Sequence, residues 1–138
     1  MVTRVFDTVV SKQPDLFDEC KRKWYRQLLR LIGLTHDLGH APFFHASEAL
    51  FGEGLKHEDM MRKMLCDTEI SGYISDIGEK LSDEIGERYN ITPELVWLIY
   101  DGKDILNESY IMPDFKFLKS FMDGELDCDK MDYLLRDS

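Results

Sequence analysis

Wherever apolar residues recur regularly in this 138-residue chain they do so at three- and four-residue steps, and no segment shows a convincing two-residue alternation. Side chains spaced in that way line one face of an α-helix, whereas a half-buried strand needs period two. The fold is therefore expected to be all-α. Phe17, Cys20, Trp24, Leu28 and Leu31 form the clearest stripe, with Arg22, Arg26 and Arg30 largely off it. Gln13-Pro14-Asp15 reads as the start of that helix, because proline at an early position gives up an N–H that has no helical partner anyway. The helix should run on through Leu34-Thr35-His36-Asp37 and end near Gly39, since Pro42 restricts Ala41 and glycine readily takes the left-handed terminating conformation.

Further punctuation divides the rest. Pro42 can open a short helix to about Phe51, broken by Gly52 and Gly54, and another helix is expected from His57 to Leu65. A long one carries Ile70, Ile74, Ile77, Leu81 and Ile85. Thr92-Pro93-Glu94 combines a capping residue, proline and an acid, a strong start signal for a helix through Ile99. One more begins around Pro113 and ends by Gly124, and residues 127–138 are helical by spacing. Repeats, low-complexity stretches and linkers are absent from the sequence, so a single domain over residues 1–138 is expected.

Hydrophobic residues at 43% and charged residues at 32% fit a globular protein, and no apolar run approaches membrane-spanning length. An acid at Asp7 and the lack of a run of small residues speak against a secretory signal, so a cytoplasmic location is expected, with no membrane partner. Cys20, Cys66 and Cys128 are odd in number and form no CxxC, which fits reduced thiols, with Cys20 and Cys66 as small apolar fillers. The net charge of −10 is unevenly placed: residues 1–57 hold eight Lys/Arg and seven Asp/Glu, residues 58–138 nine and twenty. Such a surface repels a phosphate backbone and argues against nonspecific nucleic-acid binding. A phosphorylated ligand would need cations to intervene.

The chemistry concentrates in one stretch. All four histidines, His36, His40, His45 and His57, lie within 22 residues, interleaved with Asp37, Glu48 and Glu58. Imidazole and carboxylate are the usual ligands of borderline divalent metals and the usual proton carriers near neutral pH. Since His36 and Asp37 are sequence neighbours, they can share one ion only where the backbone leaves regular helix or another ligand completes the sphere. On the last expected helix, Asp129, Asp132, Tyr133 and Arg136 form a polar stripe opposite Met131, Leu134 and Leu135. Carboxylate, phenol and guanidinium together suit a metal-bound phosphate. Bland readings stand beside these: His45 and Glu48 as an exposed pair, His57-Glu58 as a helix start, Asp132 as a helix-face acid, and Trp24 and Trp97 as core rather than nucleobase platforms.

The run HDLGHAPFFHASE at 36–48, HED at 57–59 and DCDKMDYLLRDS at 127–138 resembles the HD-domain metal-dependent phosphohydrolases, in particular the branch containing the deoxynucleoside triphosphate triphosphohydrolases. The resemblance covers residues 31–138 clearly. It implies an HD-type helical bundle, a divalent metal ion held by His36, Asp37 and Asp129, and water handling by His40, His45, Glu48 and His57. It also implies that Lys130, Tyr133 and Asp137 contact the phosphate and sugar of a nucleotide substrate, and a homo-oligomer is the expected assembly. One departure matters. That family's metal site begins with a further His in an Arg-x-x-His-Ser block upstream of the doublet, and residues 1–35 hold no histidine. The chain is accordingly expected to be a piece of a longer reading frame. Two rivals remain open: a catalytically inactive nucleotide- or protein-binding module, and an HD phosphodiesterase.

Overall fold

Residues 2–39, 57–101 and 114–122 are described by the computed structural model, with residues 57, 58 and 114–116 described by backbone alone. Among the described residues every regular element is helical: α1 (Val2–Lys12), α2 (Glu19–Thr35), α3 (His57–Cys66), α4 (Glu69–Ile85), a 3₁₀ turn (Glu87–Tyr89), α5 (Pro93–Asp101) and α6 (Asp114–Ser120). The all-α expectation holds. The expected helices at 42–51 and 127–138 lie outside the described residues. The chain divides into two compact units, Met1–Gly33 with Leu98–Ser138, and Leu34–Trp97.

In the first unit, α1 buries Val2, Phe6 and Val10, one residue per turn, a four-residue spacing with no capping or stop signal around it. α2 starts later than Pro14. Asp18 caps it, its Oδ1 accepting the Lys21 N–H at 2.8 Å, while Pro14–Phe17 form turns closed by Leu16 N–H to the Gln13 carbonyl. Arg22 fixes that arrangement by donating to the Phe17 carbonyl at 2.8 Å and to the Pro14 carbonyl. A side-chain cap at Asp18 satisfies a helical N–H that Pro14 cannot, so the helix begins at Glu19 rather than at the proline. The predicted stripe of α2 is largely buried, but so are Tyr25, Leu29 and Ile32, and its apolar face is wider than a single line.

Aromatic rings fill this unit. Phe17 meets Tyr25 edge-on at 5.0 Å, Phe117 meets Phe121 at 5.1 Å, and Phe6 meets Phe121 at 6.1 Å. Trp24 is 4% exposed and stacks on Tyr25, so it is core, as expected. Edge-to-face pairs of this kind add about 0.5–1.5 kcal/mol beyond area burial. Gly33 lets α1 come close, since a Cβ there would stand 2.9 Å from Val2 Cγ1. A bidentate pair from Arg26 to Asp7 ties the two helices on their exposed side. Half exposed, it is worth about 0.5 kcal/mol. Lys119 Nζ satisfies the terminal carbonyl of Asp101 at 2.9 Å.

The second unit is built around Met61, Leu65, Ile74, Tyr89, Ile91 and Val96. Thr68 caps α4 through its hydroxyl, which accepts the Ile70 N–H, and Thr92 caps α5 by accepting the Leu95 N–H at 3.2 Å. Gly86, at φ 115°, ends α4 in a conformation costly for any residue with a side chain. Of the predicted α4 stripe only Ile74 is fully buried; Ile70, Ile77, Leu81 and Ile85 are half-buried, and Gly78 lies on the buried side. At Gly78 an added Cβ would run into the Ile91 carbonyl and the Ile91 amide nitrogen, both backbone, whereas at Gly72 it would meet nothing.

Those two glycines of one helix should therefore respond oppositely to alanine. Gly78→Ala is expected to lower stability by about 1–3 kcal/mol, the range for overpacking against groups that cannot yield. Gly72→Ala should raise it by up to about 1 kcal/mol, the helix-propensity gain. Urea unfolding of both variants checks the pair, and equal effects would mean that α4 does not pack on the 90–92 segment as described.

Candidate metal centre

The His-Asp pair stands where helix becomes turn. α2 ends at Thr35, residues 36–39 form a turn, and the Leu38 N–H donates to the Thr35 carbonyl at 3.0 Å rather than to the carbonyl four residues back. This satisfies the condition that the sequence set, because two consecutive residues on regular helix point about 100° apart. His36 Nε2 is buried and lies 3.4 Å from Asp37 Oδ2, and the Asp37 side chain is 63% exposed. Nitrogen and oxygen ligands each about 2.1 Å from a tetrahedral ion stand about 3.4 Å apart. Donor chemistry and spacing thus both fit a divalent cation. Among the described residues no third His, Cys, Asp or Glu joins the pair.

Of the other predicted site residues, His57 opens α3, with only its backbone described. His40, His45, Glu48, Asp129, Lys130, Tyr133 and Asp137 lie outside the described residues. Trp97 is half-buried, and the Arg62 guanidinium sits 5.1 Å from its ring centroid, which takes one face that a nucleobase would need. Arg62 carries no local sequence signal for this role, because its pairing with Trp97 spans two helices. Among the described helices none is long and apolar enough to cross a membrane.

Cys20 and Cys66 are free and half-buried. Burial pushes the Cys66 thiol above its ordinary value, Glu94 and Asp67 adding to the rise and Arg62 opposing it. A thiol held protonated is a poor nucleophile and a poor ligand, so Cys66 serves packing. The folded chain keeps this proton at a pH where the unfolded chain, with a thiol near about 8.5, has lost it. Stability should consequently decline as pH rises above about 8.5. The stability difference between wild type and Cys66→Ala should narrow from about pH 7.5 to 9.5 when followed by urea midpoints, and a constant difference would show that folding does not protect the thiol.

Comparison with known families covers the same turn. The HD domain model matches residues 16–108, more than half of the chain, including the His36-Asp37 turn and α3 to α5. The chain is 28% identical over 139 residues to the uncharacterized protein YwfO of Bacillus subtilis (strain 168), covering 100% of this chain and 26% of that protein. It is 31% identical over 114 residues to the uncharacterized MG461 homolog of Mycoplasma pneumoniae, covering 82% and 24%. It is also 34% identical over 143 residues to the deoxynucleoside triphosphate triphosphohydrolase SAMHD1 homolog of Dictyostelium discoideum, covering 98% and 24%. The chain spans about a quarter of the length of these curated relatives. No solved structure matches it. A helical fold, a His-Asp doublet released from the end of a helix, and a family match across both units' cores make this chain a member of the HD-domain family.

Proposed function

We propose that this chain carries the chemistry of a metal-dependent phosphohydrolase acting on a nucleotide, with a deoxynucleoside triphosphate as substrate and triphosphate as the released product. The observation that supports it best is the convergence of His36 Nε2 and Asp37 Oδ2 at the end of α2, in a chain of the HD-domain family. The similarity to a protein named as a deoxynucleoside triphosphate triphosphohydrolase homolog points to the substrate.

In this reading His36, Asp37 and Asp129 hold the ion. A divalent metal, when bound, supplies a Lewis acid and a water of lowered pKa. His40, together with His45, Glu48 or His57, orients the attacking water and takes up its proton, work suited to imidazole and carboxylate near neutral pH. Lys130 offsets charge on the phosphate oxygens, Tyr133 donates to phosphate or packs on the sugar, and Asp137 accepts from a sugar hydroxyl. These contacts matter because the chain carries a net charge of −10 and would otherwise repel a polyanion. A cytoplasmic location belongs to the same proposal.

A second reading is a binding module without turnover. Metal content, nucleotide binding and triphosphate release, measured on the same preparation, separate the two. His36→Ala or Asp129→Asn should remove metal and activity together. His40→Ala or Glu48→Gln should lower turnover by about 10²–10⁴ with metal content intact, the usual span for general acid–base groups. Loss of metal in the latter pair would move those residues into the coordination sphere. Saturable nucleotide binding without triphosphate release in the metal-loaded chain would select the second reading.

A further inference from the structure

Thr35 is the polar residue in the core of the described chain, 7% exposed at the last position of α2. Its neighbours do not share that burial: Leu34 is 74% exposed and the Asp37 side chain 63%. His36 between Thr35 and Asp37 is half-buried, so Thr35 is the residue turned fully inward at this helix end and sets its rotational phase. Thr35 is also the residue whose carbonyl accepts the Leu38 N–H at 3.0 Å, so the turn carrying His36 and Asp37 is closed on it. Threonine is β-branched and stiff about χ1, which turns burial of its side chain into a fixed orientation of its own backbone. Alanine would satisfy the helix equally well and would fill the site less.

We propose that Thr35 is a positioning residue: packing of its branched side chain at the end of α2 fixes the turn that makes the His36 and Asp37 side chains converge. Without it the turn frays, as the final turn of a helix does when nothing holds it, and two consecutive side chains return toward the wide separation that helical geometry gives them. The meaning of this for metal binding rests on the reading of His36 and Asp37 as ligands. The positioning itself does not. A ligand pair held at bonding separation before the ion arrives loses less conformational freedom on binding than a splayed one, and affinity gains accordingly.

The test uses the whole chain in three forms, wild type, Thr35→Ala and Thr35→Val. Valine keeps the branch and the volume and drops the hydroxyl; alanine loses both. Nuclear Overhauser contacts between the His36 ring and the Asp37 β-protons, and the exchange rate of the Leu38 amide, report the turn without any metal. Calorimetric titration with Co²⁺ reports the ligand pair. The expected result is that Thr35→Ala loses the contacts, speeds Leu38 exchange and weakens Co²⁺ binding at least tenfold, while Thr35→Val stays within about threefold of wild type. A lowered melting temperature with contacts, exchange and Co²⁺ affinity unchanged would reduce Thr35 to a packing residue and overturn the proposal, as would equal loss in the valine form. If neither wild type nor variants bind Co²⁺, the metal reading fails, and the Overhauser and exchange data still decide the positioning.

Discussion

One hydrogen bond decides where α2 gives way to a turn. When the Leu38 N–H takes the Thr35 carbonyl, α-helical geometry stops, and the two residues inside that bond are His36 and Asp37. One turn more of helix would point an imidazole and a carboxylate to different sides, and neither could help the other hold an ion. A turn ending earlier would leave them in open chain, with rotamer freedom to lose on every binding event. The position of the helix end therefore does for this site what loop architecture does in many others: it converts sequence adjacency into spatial adjacency.

That helix end is in turn only as well placed as the rest of α2. Its seventeen residues are anchored at the start by the Asp18 cap and by Arg22 reaching back to the Phe17 carbonyl. Along its length, Trp24, Tyr25, Leu28, Leu29, Leu31 and Ile32 are buried. Fully burying side chains of this size contributes about 1.5–3 kcal/mol each, whereas the exposed Arg26–Asp7 pair adds a few tenths to one. Hydrophobic packing, then, sets the axis and the phase of α2, and polar groups set its limits. The separation of tasks is visible within the one helix.

Signals confined to a few adjacent residues are legible in the sequence, and signals produced by packing are not. Thr92-Pro93-Glu94 reads correctly because a cap, its proline and the acid act within one turn, and the hydroxyl does accept the Leu95 N–H. The start of α2 differs from the expectation because the advantage of Asp18 over Pro14 depends on Arg22 bonding to carbonyls five and eight residues away. α1 shows a four-residue apolar spacing at Val2, Phe6 and Val10 but no start or stop signal, and Val2, Val5, Val9 and Val10 are indifferent helix formers; what holds it is burial of Val2, Phe6 and Val10 and the close approach that Gly33 permits. In α4 the apolar periodicity is right while the depth of burial is not, because Gly78, invisible to a hydrophobic pattern, is where the 90–92 segment comes closest. At the site, Gly39 and Pro42 point to a helix that runs through His36 and Asp37 and ends near 39, yet α2 stops at Thr35 and Gly39 does not take the left-handed conformation expected of it; the turn and its 3.4 Å convergence cannot be counted off the sequence. Roles for His40, His45, Glu48, Asp129, Lys130, Tyr133 and Asp137 rest on resemblance.

The electrostatics of α2 favour the same assignment from another direction. A helix of this length carries about half a negative charge at its C-terminal end, concentrated on the carbonyls of the final turn. Lysine or arginine in that turn is the common way to offset it, and α2 has none there. Directly beyond Thr35 stand instead an imidazole and a carboxylate, one able to accept a cation and the other already negative. An anion brought directly to this point would meet the helix end, Asp37 and a chain of net charge −10, all unfavourable. A divalent cation would meet the same three features as attractions. The end of α2 is thus electrostatically suited to a cation and unsuited to a bare anion.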